Sequence, residues 1–162
     1  MYKEALSDEG LNILSELSEF EGFYLAGGTG LALQIGHRVS EDLDLFTDQF
    51  IPENLLSDVE ETFPGKVVSP SVNNSEELTV FLDGVKVTFL RDPFPLLEEP
   101  VYFRKVPLME ASEIVATKAY TVGRRGSYRD YVDIYFSLKD EIVSLEKIID
   151  MANEKYGEKF NS

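Results

Sequence analysis

Two aspartates, Asp42 and Asp44, stand one residue apart in a segment where polar and apolar residues alternate, from Asp42 to Thr47. On a β-strand, side chains two residues apart point to the same side, about 7 Å apart along the chain, so both carboxylates would face one way. Carboxylates this close repel each other, and a divalent cation relieves the repulsion. Mg²⁺ suits the pair, because it takes oxygen ligands and keeps positions for waters and substrate phosphates. The pair therefore predicts a magnesium site.

A glycine-rich stretch precedes this pair, and it consists of Gly27, Gly28 and Thr29. A short buried strand is expected before it, from Phe23 to Ala26, and a helix after it, from roughly Leu31 to Gly36, with Thr29 as the cap. Backbone N–H groups at the start of a helix bind anions. The stretch therefore predicts a phosphate cradle beside the magnesium site, which is the arrangement that phosphoryl or nucleotidyl transfer requires.

Each of these signals also has an ordinary interpretation. A Gly-Gly pair before a helix is often only a turn, and an Asp-x-Asp segment on a strand is often only a solvated face. Their succession in the order strand, turn, helix and strand is much more specific than either part.

The composition limits which chemistry is possible. The chain has 162 residues, enough for one domain with a sizeable core. It has no cysteine and one histidine, so neither a disulfide framework nor a zinc site of thiolates and imidazoles can form. A metal ion bound by this chain must be a hard cation with oxygen ligands.

Acidic residues outnumber basic ones by thirty to fifteen, and the net charge is −15, which disfavours nonspecific binding to nucleic acid or anionic membranes. The charge is uneven. Residues 1–62 hold two basic and fourteen acidic residues, whereas residues 104–129 hold six basic and two acidic ones. The second segment is where a phosphate-bearing ligand is expected to bind. We see no membrane span and no signal peptide in the sequence, and we expect a cytoplasmic protein.

The order of predicted elements divides the chain in two. An α/β sheet region is expected over residues 1–100, and a helical region over residues 101–162, packed together as one compact unit. In the sheet region, Asp83-Gly84 predicts a tight hairpin between two strands. In the helical region, helices are expected from about Glu110 to Val122, from Tyr128 to Leu138 and from Leu145 to Tyr156.

The run GGTGLALQIGHRVSEDLDLF, residues 27–46, resembles the first motif of nucleotidyltransferases of the AbiEii/AbiGii toxin family, which belong to the DNA polymerase beta-like superfamily. The resemblance implies an α/β (α+β) fold, in which a polymerase-beta-like core with a mixed sheet is followed by a helical C-terminal half. It implies that the glycine-rich turn binds the triphosphate of an NTP and that the aspartate pair holds Mg²⁺. His37, Arg38 and Ser40 stand where the family has a His-Arg-x-Ser stretch. Arg38 and Ser40 are expected near the nucleotide, and His37 is either structural or catalytic.

The run KAYTVGRRGSYRDYVD, residues 118–133, resembles later motifs of the same family, a lysine followed by arginine and then Arg-Asp-x-x-Asp. The resemblance implies that Lys118 contacts phosphates together with Arg125 and Arg129. It also implies that Asp130 or Asp133 orients groups or acts as a base toward the acceptor hydroxyl, and Asp133 is taken as the catalytic residue. Glycines 123 and 126 are expected to interrupt the first helix of this run.

The resemblance leaves one gap. Enzymes of this superfamily usually carry a third carboxylate on a neighbouring strand, and in residues 84–90 that position is Thr88. A hydroxyl is a poor magnesium ligand. Asp92 can replace the acid if the strand continues, and Asp133 can replace it from the helical side. Otherwise the protein binds nucleotide and turns over slowly or not at all.

Our leading hypothesis is a magnesium-dependent nucleotidyltransferase that transfers NMP from an NTP to an acceptor hydroxyl. For toxins of this family the acceptor is RNA, particularly tRNA, and a separately encoded antitoxin neutralises the toxin. The net charge of −15 weakens the hypothesis of an RNA acceptor for this chain. A catalytically silent module that binds nucleotide or a protein partner is one alternative. A small-molecule nucleotidyltransferase of the antibiotic-modifying kind is another.

Overall fold

The fold is built on one mixed sheet, in the computed structural model that describes residues 1–160. The strands are β1 (Tyr24–Leu25), β2 (Leu43–Thr47), β3 (Val68–Asn73), β4 (Glu77–Leu82), β5 (Val85–Arg91), β6 (Val101–Phe103) and β7 (Val106–Leu108). They lie in the order β3-β4-β5-β2-β1-β7-β6. The helices are α1 (Asp8–Glu16), α2 (Gly27–Ile35), α3 (Leu55–Thr62), α4 (Ala111–Arg125), α5 (Tyr128–Lys139) and α6 (Leu145–Tyr156).

Strand β2 lies at the centre of the sheet. It pairs in antiparallel fashion with β1 and in parallel fashion with β5, where Asp44 is opposite Thr88. The hairpin predicted at Asp83-Gly84 joins β4 to β5. Both turn residues have positive φ angles, 48° and 88°, as this tight turn requires. The mixed sheet confirms the predicted fold class.

The two faces of the sheet have different neighbours, and alternate side chains of β2 point to opposite faces. Leu43 and Leu45 are fully buried in the main core, together with side chains of α1 and α3. The opposite face carries Asp44 and Phe46, and Phe46 packs at the edge of a second cluster formed by residues of α2, α4 and α6. The aspartates therefore face the side on which the C-terminal helices lie.

The structure corrects two expectations about helix ends. Helix α4 continues through Gly123 and ends at Arg125, before Gly126, so only the second of the two glycines interrupts it. Helix α2 begins at Gly27 rather than near Leu31, because Ala26 is extended and Gly30 N already donates to the carbonyl of Ala26. Thr29 consequently lies inside the first turn and is not the helix cap.

The C-terminal helices pack against one another and against α2. Helix α4 contacts α2, α5 and α6, and α2 also contacts α5. The segment from Val101 to Leu108 adds β6 and β7 to the sheet through pairing of β7 with β1. Among the described residues, no helix combines the length and the apolar character that crossing a membrane requires.

Candidate active site

A cavity of about 480 Å³ lies on the face of the sheet that carries Asp44, and residues of α2, α4 and α5 complete its wall. All predicted site residues except Asp133 line this cavity. They are Gly27, Gly28, Thr29, Arg38, Ser40, Asp42, Asp44, Lys118, Arg125 and Arg129. The two sequence runs, far apart along the chain, thus meet at one site.

The N-terminus of α2 opens into the cavity. The first N–H groups of a helix have no partner within it, and α2 has no side-chain cap among the described residues. The hydroxyl of Thr29 instead donates to the backbone carbonyl of Asp42 and lies 2.7 Å from the hydroxyl of Ser40. Thr29 thereby fixes the first turn of α2 against the segment that enters β2, and the backbone N–H groups of Gly27 and Gly28 stay available to an anion.

Both glycines allow a close approach of charged groups. Gly27 has a φ of 62°, and a Cβ atom there would lie 2.8 Å from Oδ2 of Asp44. A Cβ atom at Gly28 would lie 2.2 Å from Nη2 of Arg38. The absence of side chains at these two positions brings a carboxylate and a guanidinium directly against the helix N-terminus.

The aspartate pair suits a hard divalent cation that binds together with a phosphate ligand. Burial raises the pKa of Asp44, the nearby charge of Lys86 opposes that rise, and the charge of Asp42 adds to it. No salt bridge to Asp42 or Asp44 is present among the described residues. These residues also contain no group of three His, Cys, Asp or Glu side chains able to hold a metal ion. The two carboxylates fit Mg²⁺ if water and substrate phosphates supply the remaining oxygen ligands.

Asp133 lies behind the cavity wall rather than in it. Its carboxylate is fully buried and accepts hydrogen bonds from Nε2 of His37 at 2.6 Å and Nε of Arg38 at 2.7 Å, and Nζ of Lys118 lies 2.8 Å away. Burial alone would raise the pKa of Asp133. The hydrogen bonds from His37 and Arg38 and the charge of Lys118 outweigh burial and hold the pKa well below its ordinary value. Asp133 therefore positions three cationic or polar side chains and does not reach the cavity.

Asp130 is the carboxylate of this run that lines the cavity. Its Oδ1 accepts a hydrogen bond from Lys118 at 2.8 Å. Its Oδ2 is buried and has no partner among the described residues. A buried carboxylate oxygen without a donor is costly, so this oxygen is an unsatisfied hydrogen-bond acceptor at the cavity wall.

The position of the expected third carboxylate holds Thr88, as the sequence indicates. Asp92 does not fill the gap, because β5 ends at Arg91 and the Asp92 carboxylate accepts from the backbone N–H of Phe94. The cavity is lined instead by two charged residues that sequence reasoning gave no role, Lys86 and Glu77. The alternation of β5 already places Lys86 on the same face as Thr88. No sequence pattern placed Glu77 at the cavity. Its carboxylate accepts a hydrogen bond from Thr79 at 2.6 Å.

Comparison with known proteins identifies a family and a relative of this chain. The family model "Nucleotidyl transferase AbiEii toxin, Type IV TA system" matches residues 11–79. An uncharacterized protein of Aquifex aeolicus (strain VF5) is 31% identical over 150 residues, which are 91% of this chain and 73% of the relative.

Two solved structures have the same fold. JHP933 from Helicobacter pylori superposes with a TM-score of 0.62 at 20% identity, over 93% of this chain and 80% of the other. The antibiotic-resistance factor ANT(2'')-Ia superposes with a TM-score of 0.59 at 14% identity, over 89% and 87%. The chain shares the polymerase beta-like fold of these structures, and the family match makes it a nucleotidyltransferase. Within that class, the chain belongs to the AbiEii nucleotidyltransferase family.

Replacing Gly27 with alanine is expected to displace Asp44 as well as to destabilise the fold. A positive φ costs a residue with a side chain about 1–2 kcal/mol, and the new Cβ would press on the carboxylate. Gly22→Ala is a matched control, because Gly22 has a φ of 82° and open space around it. Chemical unfolding should show a similar loss of stability for both. Only Gly27→Ala should weaken binding of Mn²⁺ with an NTP, by about tenfold or more in a calorimetric titration. An equal loss of binding in both variants would contradict the assignment of Gly27 and Asp44 to the binding site.

Asp133→Asn is expected to cost about 3–5 kcal/mol of stability at pH 7, because Arg38 loses its buried carboxylate partner and Lys118 keeps only Asp130. The folded-state pKa of Asp133 is depressed, so its contribution is complete above the ordinary pKa of 3.8 and is lost as the pH falls below it. Urea unfolding should therefore show a difference between wild type and variant that is constant above about pH 4.5 and shrinks as the pH is lowered from about 4 toward about 2. Asp140→Asn, at the exposed end of α5, should change stability by no more than about 0.5 kcal/mol.

Proposed function

We propose that this protein transfers NMP from an NTP to the hydroxyl of an acceptor and depends on Mg²⁺ for the reaction. The observation that carries the proposal is the meeting of three features at one cavity: the open N-terminus of α2, the Asp42 and Asp44 carboxylates, and the cationic ends of α4 and α5. An anion-binding helix end beside two carboxylates is suited to a triphosphate with its metal ion, and to few other ligands.

The residues divide into those that hold the triphosphate and those that hold the metal. The N–H groups of Gly27 and Gly28 and the guanidinium of Arg38 bind phosphate oxygens, and Thr29 and Ser40 keep this turn in place. Asp42 and Asp44 would hold Mg²⁺, which when bound neutralises charge on the triphosphate. Lys118, Arg125 and Arg129 add positive charge from the helical side.

In the reaction, the oxygen of the acceptor hydroxyl forms a bond to the α-phosphorus. The bond from the α-phosphorus to the oxygen that bridges to the β-phosphate breaks, and pyrophosphate leaves. Asp130, at the cavity wall, takes the hydroxyl proton on Oδ2, the carboxylate oxygen that has no donor among the described residues. Asp133 supports the reaction from behind, since it fixes the positions of Arg38 and Lys118.

We infer that the acceptor is RNA, with tRNA as the first candidate, and that the protein acts as a toxin whose antitoxin is encoded separately. Membership of a family of nucleotidyltransferase toxins supports this proposal. We also place the protein in the cytoplasm as part of the proposal, because NTPs and tRNA are found there together. The Thr88 hydroxyl, at the position of a third carboxylate, favours the alternative of a silent nucleotide-binding module, and the test below separates the two.

Incubation with each of the four labelled NTPs, Mg²⁺ and total tRNA should yield labelled RNA with the wild type. The Asp42→Ala/Asp44→Ala variant should be at least about a hundredfold slower, because it cannot hold the metal. Label on RNA identifies both the transfer and the preferred nucleotide. If no RNA is labelled while calorimetry still detects nucleotide binding, the silent module or a small-molecule acceptor is correct instead.

Asp130→Asn should lower the rate of transfer by about 10²- to 10⁴-fold, since the amide cannot take the proton. Its affinity for the NTP should stay near that of the wild type, because the amide oxygen still accepts a hydrogen bond from Lys118. Single-turnover kinetics and nucleotide titration measure the two quantities separately. A rate within threefold of the wild type would assign the proton transfer to another group.

A further inference from the structure

The solvent-exposed side of α5 carries a row of tyrosines. Its exposed residues are Tyr128, Arg129, Tyr131, Tyr135 and Lys139, and we call this set the tyrosine face. The three tyrosines are 81%, 53% and 58% exposed. Single exposed aromatic residues are common on protein surfaces, but a contiguous group usually marks an interaction site.

Helical geometry places the three tyrosines and Lys139 on one stripe. At 100° per residue, positions 128, 131, 135 and 139 fall within about 80° of the helix circumference, and they span about 16 Å along the axis. The rings therefore follow one another at intervals of one helical turn. Lys139 extends the row, with Nζ 6.0 Å from the centre of the Tyr135 ring.

The charge of this region is opposite to that of the whole chain. Arg124 and Arg125 at the end of α4 come just before the tyrosine face, and no exposed residue from 123 to 139 is acidic. The acidic residues of this segment, Asp130 and Asp133, are buried. In a chain with a net charge of −15, a cationic surface of this extent selects a polyanion, and the acidic remainder repels one.

The tyrosine face continues into the candidate active site. Arg125, Ser127 and Arg129 line the cavity, and Tyr128 lies between the last two in the chain. A ligand that lies along α5 can therefore place its end in the cavity.

We propose that the tyrosine face binds the single-stranded 3′ end of the acceptor RNA and leads its terminal hydroxyl to the cavity. Bases stack on tyrosine rings with little dependence on sequence, and arginine and lysine side chains contact the phosphates between them. Tyrosine and arginine also occur in interfaces with proteins, but the absence of exposed acidic residues on α5 favours a polyanion over a protein partner. This inference rests on the proposed function and adds the surface that recruits the acceptor.

The test is fluorescence anisotropy with a labelled single-stranded RNA oligonucleotide, without NTP or Mg²⁺, so that binding is measured apart from transfer. The variants are Tyr128→Ala/Tyr131→Ala/Tyr135→Ala, the same three positions changed to Phe, and Tyr102→Ala as a control. Tyr102 is a matched control because it is 65% exposed and lies on β6, away from α5. Circular dichroism melting verifies that each variant is folded.

Each lost stacking contact should weaken RNA binding roughly fivefold or more, so the triple alanine variant should lose about a hundredfold in affinity. The triple phenylalanine variant keeps the rings and should bind within about threefold of the wild type. Arg129→Gln should lower the slope of log affinity against log salt by about 0.7, the value for one phosphate contact of a single strand. Tyr102→Ala should leave RNA affinity unchanged.

The inference is overturned if the triple alanine variant binds RNA within threefold of the wild type, or if the wild type does not bind RNA at all. Nucleotide titration by calorimetry separates this failure from failure of the proposed function. Nucleotide binding and transfer without RNA binding would leave the proposed function with another acceptor. RNA binding that depends on the tyrosines, without nucleotide binding, would instead refute the proposed transfer reaction.

Discussion

The buried carboxylate of Asp133 is the interaction on which the arrangement of the site depends. It accepts hydrogen bonds from His37 and Arg38, which follow α2, and from its other side Lys118 of α4 approaches at 2.8 Å. A single carboxylate thus ties the glycine-rich segment of the sheet to both helices of the cationic run. Each of these charges would be costly to bury alone, so none of the three elements can move away without leaving an uncompensated charge.

This constraint explains how an acidic protein can present positive charge to a phosphate ligand. Asp133 holds Arg38 against the N-terminus of α2 and Lys118 at the cavity wall, while Arg125 and Arg129 lie at the cavity edge nearer to solvent. Four carboxylates line the same cavity: Asp42 and Asp44 are of the kind that a metal ion neutralises, Asp130 pairs with Lys118, and Glu77 is the fourth. Cationic groups therefore gather where the phosphates are expected, and the surplus of acidic residues lies elsewhere.

Local patterns predicted the parts of the structure that local forces determine. Alternation along β2 separated the buried leucines from the aspartates, and Asp83-Gly84 predicted the hairpin because both positions need a positive φ. The helix start at Gly27 was missed, because the extended conformation of Ala26 has no signature in the sequence. The roles of Asp130 and Asp133 could not be separated either, since residues three apart lie on neighbouring parts of one helix face. Their difference comes from the contact with His37, which is 96 residues away in the chain.

The residues of β5 beside the aspartates affect how strongly the site binds a metal ion. In place of a third carboxylate, β5 presents Thr88 opposite Asp44, and Lys86 of the same strand acts on Asp44 with its charge. Two carboxylates beside an ammonium group bind a divalent cation weakly, because the ammonium repels it and too few oxygen ligands are available. On the proposed function, the triphosphate must supply the missing ligands, so the cation enters together with the nucleotide. The site is then complete only with its substrate, which limits metal binding to the state in which the reaction can begin.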